Sequence, residues 1–155
     1  MLRRTLRISL AILAAASAAV LVTSVAPGAG GAVKNGSFKS PSGNIVCGYS
    51  IPPDTRDTAV GCGIASGLKP APRNTCKDLD YSGKRMSVRQ SGKAVIDLCA
   101  GDPGPFLLTK TAPVLGYGSS WRGGGITCTS RRTGLTCRNR SGHGFFMSRG
   151  HSYTF

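Results

Sequence analysis

An apolar residue lies two positions before four of the six cysteines in this chain. The four pairs are Ile45 with Cys47, Val60 with Cys62, Ile126 with Cys128, and Leu135 with Cys137. Because residues two apart on a β-strand point to the same face of a sheet, this spacing predicts four strands whose cysteines face inward beside an apolar neighbour. Segments rich in Gly, Pro, Ser and Asp separate the strands, so hairpins are expected between them.

The cysteine spacing also predicts three disulfides and no free thiol. The segment TSRRTG folds back around Arg132 and Thr133, which places Cys128 and Cys137 opposite one another. A close pair of this kind on neighbouring antiparallel strands can be bridged. The same reasoning, with a further turn at Ser91-Gly92, pairs the cysteines in sequence order as Cys47–Cys62, Cys76–Cys99 and Cys128–Cys137.

The N-terminal segment has the organisation of an export signal. Three arginines precede an apolar run at 8–25, and small residues follow up to Ala32. We expect residues 1–32 to be a signal peptide with a signal helix, and residues 33–155 to be the mature domain, without a stable membrane span. This predicts a secreted, extracellular protein, with wall association as a further option. The alternative is a retained anchor, because an apolar run of about 18 residues is near the lower limit for crossing a bilayer.

The distribution of glycine and proline favours a mainly-β fold. Residues 33–155 contain 19 of the 22 glycines and 8 of the 9 prolines, and both residue types disfavour helix interiors. We therefore expect a small single domain of short antiparallel strands and hairpins. We expect disulfides to cross-link and stabilise this domain, because an exported chain of this length has only a modest core. The oligomeric state stays open.

Five short segments of the mature region form a set. They are FKSPSGNIVC, LGYGSSW, GITC, GLTCRN and GHGFFMSR, and with the aromatic-rich tail they span residues 38–155. This set resembles a family of small exported actinobacterial proteins classed as a domain of unknown function. The resemblance implies an exported domain with paired cysteines and no assigned reaction. It carries over no catalytic residue, and it suggests that GHGF is a family signature.

Basic residues outnumber acidic ones, above all toward the C-terminus. Without the three N-terminal arginines, 17 basic residues face six acidic ones, which is a formal charge of +11, and no acid follows residue 102. The planar fork of arginine suits bidentate contact with phosphate or carboxylate. In the last predicted hairpin, Arg138 and Arg140 are two apart and point the same way. The candidate polyanion-binding residues are Arg122, Arg131, Arg132, Arg138, Arg140 and Arg149.

Two further residues are candidate ligand contacts. Trp121 is either a stacking surface for sugars or bases or, as the favoured alternative, a core residue. His143 lies between Gly142 and Gly144, and glycines supply positive φ in turns. We therefore expect His143 in a turn between the strands LTCRN and FFMSR.

Catalytic and metal-binding chemistry has little support in the sequence. All six acids are aspartates, no spacing singles out a pair of them, and no G-x-S-x-G elbow occurs. The cysteines and histidines match no common zinc spacing. We predict no metal and no cofactor.

These observations favour a secreted, non-enzymatic basic module that binds anionic polymers at the cell surface, such as cell-wall polymers, extracellular nucleic acid or glycans. One alternative is a small secreted, nuclease-like hydrolase in which His143 or His151 is the general acid or base and arginines hold phosphate. The other is a protease-inhibitor-like scaffold that presents the loop PPDTRD. An enzyme is the less favoured class.

Overall fold

The computed structural model describes residues 32–77, 80–99 and 104–155, which form two five-stranded antiparallel sheets. The strands of the first sheet are β1 (Lys34–Lys39), β2 (Ile45–Ile51), β3 (Ala59–Ile64), β4 (Tyr81–Arg89) and β5 (Val95–Cys99). The strands of the second sheet are β6 (Ser120–Gly123), β7 (Ile126–Arg131), β8 (Gly134–Asn139), β9 (Gly144–Met147) and β10 (Ser152–Thr154). In each sheet, strands adjacent in sequence are adjacent in space. The mainly-β prediction is confirmed; the predicted signal helix lies outside the described residues.

The hydrophobic core lies between the two sheets. Inward residues alternate with more exposed ones along β7 and β8, as the two-residue spacing predicts. The buried cluster draws on both sheets, with Ile45, Cys47, Val60, Cys62, Met86 and Val88 from the first and Ile126, Cys128, Leu135, Cys137, Phe145 and Met147 from the second. Because each sheet buries one apolar face against the other, neither forms a core alone.

Three disulfides connect the predicted cysteine pairs, and this prediction is confirmed. Cys47–Cys62 links β2 to β3 and Cys128–Cys137 links β7 to β8, each between residues directly opposite in register. Both have a Cα–Cα distance of 4.0 Å, as expected where antiparallel side chains approach most closely. Cys76–Cys99 ties the loop before β4 to the end of β5.

The outer faces of the two sheets differ. A short 3-10 helix, η1 (Gly104–Leu108), packs on the outer face of the first sheet, where the Phe106 ring lies against Gly63. Apart from Gly134 and Gly144, the outward residues of the second sheet are polar or aromatic and are half-buried or exposed. Among the described residues, no helix is long and apolar enough to cross a membrane.

Candidate functional site

The six candidate arginines divide into two groups at opposite ends of the β7–β8 hairpin. Arg131 and Arg132 lie at its tip, and Arg149 joins them from the turn between β9 and β10. Arg122, Arg138 and Arg140 lie at the other end. With a rise of about 3.4 Å per residue, the length of β8 separates the groups by about 17 Å. The predicted cluster is therefore two sites.

The first site, here named the tip cleft, is a cavity of about 340 Å³ lined by Arg131, Arg132 and Arg149. Its opposite wall is the turn between β1 and β2, with Ser40 and Ser42, so both sheets contribute to it. A volume of this size falls at the small end of the range for ligand pockets. The tip cleft can therefore hold a small group or one unit of a polymer.

Hydrogen bonds fix the turns that form the walls. The hydroxyl of Ser40 accepts from the amide of Ile45 at 3.1 Å. Asn44 reaches the loop after β3, where its side-chain oxygen accepts from the Ser66 amide at 3.2 Å. In the β9–β10 turn, the Ser148 hydroxyl donates to the carbonyl of His151 at 2.9 Å. Turns held in this way position their side chains before a ligand arrives, which lowers the entropic penalty of binding.

The electrostatics of the tip cleft favour an anion. Among the described residues that line it, none is acidic, and within the described part of the chain none of its three guanidinium groups forms an ion pair. The guanidinium of Arg132 lies 5.2 Å from the centre of the Tyr117 ring, which holds it by a cation–π contact. Uncompensated arginines close to one another attract phosphate or carboxylate.

The floor of the tip cleft adds polar groups. Ser130 is 1% exposed and contributes to the lining of the cleft. Gly118 donates to the Ser130 carbonyl at 2.8 Å, which anchors the Tyr117 segment beside β7. The Ser40, Ser42 and Ser148 side chains line the cleft as well, so hydroxyl groups lie near its arginines.

The second site contains Arg122, Arg138 and Arg140 and is here named the base groove. Two of these arginines are held by contacts with other residues. The Nε of Arg138 donates to the Gly142 carbonyl at 3.1 Å, and its guanidinium lies 5.7 Å from the Phe155 ring centre. Arg140 packs over Gly125. The prediction that Arg138 and Arg140 lie on one strand is wrong, because β8 ends at Asn139 and Arg140 lies in the following turn. Both residues nevertheless line the base groove.

A family model matches residues 6–155 of the chain. The chain belongs to the family of unknown function DUF6636. No curated protein and no solved structure matches the chain. Four of the five segments quoted above for their family resemblance line the tip cleft of this DUF6636 protein, through Ser40, Tyr117, Leu135 and Arg149.

The GHGF segment of this DUF6636 protein forms a turn, as predicted for His143. The amide of His143 donates to the Oδ1 of Asn139 at 3.0 Å, and its carbonyl accepts from the Asn139 amide at 2.8 Å. Gly142 supplies the expected positive φ of 84°. Gly144 is required for a different reason, because a methyl group there would collide with the carbonyl of Cys137.

The two histidines of this DUF6636 protein lie at opposite ends of β9. His143 precedes the strand, and His151 pairs with Ser148 in the turn after it. From His143 to Ser148 the chain advances five residues, which corresponds to about 17 Å. A general acid and a general base must both reach the reacting atoms, so these histidines do not form a shared catalytic pair.

Trp121 lies at the edge of the core, the favoured alternative from the sequence. Its ring is half-buried and packs against Tyr49 and Phe38, with centroid distances of 4.6 Å and 5.7 Å. The exposed rings of the second sheet are instead Tyr153 and Phe155, at 45% and 38% exposure. The alternation in HSYTF, with rings at 151, 153 and 155, is the signal that identifies them as one face of a strand.

The side chain of Asn139 forms four hydrogen bonds, and the sequence analysis did not identify this role. Asn139 is 5% exposed, and its Nδ2 donates to the carbonyls of Arg89 and Gly92 at 3.0 Å and 2.7 Å. Its Oδ1 accepts from the amides of Ser141 and His143. One side chain thus joins the β4–β5 turn of the first sheet to the β8–β9 turn of the second.

The PPDTRD loop of the inhibitor alternative forms consecutive tight turns. The amide of Thr55 donates to the carbonyl of Pro52, and the amide of Thr58 donates to that of Thr55. An ion pair of 3.1 Å between Arg56 and Asp54 lies on its surface. The loop is therefore compact and does not present the extended backbone with which a peptide adds a strand to a partner.

Proposed function

We propose that this protein is a secreted, non-enzymatic module that binds anionic polymers outside the cell, with the tip cleft as its principal anion contact. The observation that carries the proposal is the convergence of Arg131, Arg132 and Arg149 on one cleft whose described lining has no acid. The export signal expected at residues 1–32 and the three disulfides support an extracellular location.

The charge of the mature region supports the same function. Its formal charge of +11 raises the local concentration of any polyanion, and the tip cleft provides the fixed contacts. Binding of this kind releases counterions, so the affinity falls steeply as the salt concentration rises. For a single strand the logarithmic slope is about −0.7 for each phosphate neutralised.

A salt titration with fluorescent oligothymidylate as the polyanion tests the proposal. The triple variant Arg131→Gln, Arg132→Gln, Arg149→Gln should weaken binding at low salt. It should also flatten the logarithmic salt slope by about two units, because three contacts of about 0.7 each are lost. Fluorescence anisotropy at several salt concentrations measures both quantities.

A charge-matched control separates the tip cleft from net charge. Lys34, Lys84 and Lys93 are exposed on or beside the first sheet, and changing all three to Gln removes the same charge. This control should retain a salt slope closer to that of the native protein. Equal losses in both triple variants would assign binding to net charge, and a native protein that ignores the probe at low salt would refute the proposal.

A further inference from the structure

We propose that the outer face of the second sheet is a glycan-binding platform, on which successive sugar rings of an extended polysaccharide stack against Phe146, Tyr153 and Phe155. This goes beyond the function proposed above, because stacking requires no charge on the ligand. The platform lies on the outer face of the second sheet, and it borders the tip cleft at Gly134, against which the Phe146 ring packs.

The strand register places five outward residues in one row across the sheet. Tyr153 pairs with Phe146, Phe146 with Thr136, Thr136 with Thr129, and Thr129 with Ser120. Two aromatic rings therefore occupy the edge at β9 and β10, and three hydroxyls continue the row across β8, β7 and β6. The hydroxyls of Ser120 and Thr129 lie 2.9 Å apart.

The aromatic end of the row is continuous. The Tyr153 ring centre lies 5.4 Å from that of Phe146 and 6.1 Å from that of Phe155, and the ring planes are tilted by 33° and 52°, so the three rings form a twisted surface. The guanidinium of Arg138 lies 5.7 Å from the centre of the Phe155 ring. Tyr153 and Phe155 are respectively 45% and 38% exposed, so large apolar rings remain in contact with water.

An extended glycan fits this combination of groups. The C–H groups on one face of a pyranose ring carry partial positive charge and pack on the electron-rich face of an aromatic ring. The hydroxyls at the edge of the sugar can then bond to the Ser120, Thr129 and Thr136 row. The five residues of the row carry no charge, which matches a neutral sugar that presents C–H faces and hydroxyl edges.

Charge excludes a second copy of the chain as the occupant. The outward positions next to the aromatic row include Arg122 and Arg138, which flank Thr127 in the neighbouring register row. No acidic residue occurs in β6 to β10. Two such faces brought together would place arginines against arginines, and like charges oppose that association.

Affinity electrophoresis in gels that contain hydroxyethyl cellulose or soluble xylan, with pulldown on chitin and cellulose, tests the platform. At about 1 M NaCl the Debye length is about 3 Å, so electrostatic binding is suppressed and stacking remains. The native protein should be retarded by at least one of these neutral glycans. Lack of binding to all four would overturn the proposal.

The double variant Tyr153→Ala, Phe155→Ala should lose about tenfold in affinity, since a stacked ring pair contributes about one such factor. The control variant Leu107→Ala, Val114→Ala removes exposed apolar side chains, 73% and 57% exposed, away from the platform. It should bind like the native protein. Equal binding by the aromatic variant and the native protein would refute the assignment.

A second variant tests the platform independently, in case the double aromatic variant fails to fold. Thr136→Gln leaves every ring in place and inserts a longer neutral side chain into the middle of the row, and it should weaken glycan binding several-fold. The tip-cleft triple variant should bind glycan normally, which separates failure of the platform from failure of the anion site. Retention of oligothymidylate at high salt that depends on Tyr153, without glycan retention, would overturn the glycan assignment in favour of nucleobases.

Discussion

Gly144→Ala is the substitution for which the structure makes the sharpest stability prediction. Gly144 is buried in β9 and has a backbone conformation that any residue can adopt, so the penalty is purely steric. The added methyl group would collide with the carbonyl oxygen of Cys137. It would also lie 3.0 Å from the Cα of Arg138 and 2.9 Å from the Cζ of Phe155.

The magnitude follows from which atoms are in the way. Two of the three belong to the backbone of β8, which is fixed in register on both sides and cannot rotate aside. Overpacking a rigid site costs typically about 1–3 kcal/mol, and we expect Gly144→Ala to reach the upper half of that range. For a domain of this size, about 4 °C is lost per kcal/mol, so the midpoint of thermal unfolding should fall by about 8–12 °C.

Urea denaturation followed by Trp121 fluorescence, together with differential scanning calorimetry, measures the effect. Gly150→Ala is the matched control, because no atom lies within 4 Å of its added methyl group and its φ is not in the left-handed region. This control should be neutral or slightly stabilising, since alanine reduces the entropy of the unfolded chain. A Gly144→Ala protein as stable as Gly150→Ala would show that the GHGF segment is not constrained by close backbone approach.

Three further variants test the turn at His143, the hydrogen bonds of Asn139 and the Cys76–Cys99 disulfide. His143→Asn should lower the free energy of unfolding by less than about 1.5 kcal/mol and leave oligothymidylate binding intact, because only backbone atoms of His143 bond to Asn139; complete loss of function in a folded variant would contradict the turn assignment. Asn139→Ala should lose about 2–4 kcal/mol in urea denaturation, because four hydrogen bonds disappear; a loss below about 1 kcal/mol would show that the two turns are not coupled through this side chain. Replacing Cys76 and Cys99 with Ala should cost about 3.4 kcal/mol from loop entropy at a separation of 23 residues, and an unchanged midpoint would refute that estimate.

The inward period of β2, β3, β7 and β8 predicts these four central strands from the sequence, whereas the edge strands β1 and β10 have no such period. Strands β2, β3, β7 and β8 each place a cysteine and an apolar residue on the inner face, which gives a clear two-residue period. By contrast, β1 has only Phe38 buried and β10 only Ser152. An edge strand with one inward residue has no apolar period on its inner face, and its position is set by pairing with its neighbour.

The composition of the site was predictable, but its geometry was not. Charge alone identified the six arginines, yet their division into two groups depends on the pairing of β7 with β8, which places Arg131 at one end of the hairpin and Arg138 at the other. The end of β8 is fixed by Asn139, whose side chain accepts the amides of the following turn. Ser40 and Ser130 come together in the tip cleft because the two sheets pack against each other. Such long-range contacts leave no local pattern in the sequence.

The residues flanking the buried cysteines explain why the outer faces of the two sheets differ. On β2 and β3 the outward neighbours of Cys47 and Cys62 are Val46, Gly48, Gly61 and Gly63. The glycines leave room on that face, so the Phe106 ring packs directly on Gly63 and a methyl of Leu108 lies 3.6 Å from the Cβ position of Gly48.

On β7 and β8, the outward neighbours of Cys128 and Cys137 are Thr127, Thr129, Thr136 and Arg138. A covering segment would have to bury three hydroxyls and a guanidinium, which is unfavourable unless each finds a hydrogen-bond partner. These polar groups bond favourably to water or to a polar ligand, so the face stays open. The contrast between VCG and GCG in the first sheet and TCT and TCR in the second therefore distinguishes the sheet whose outer face packs against its own chain from the sheet whose outer face stays open.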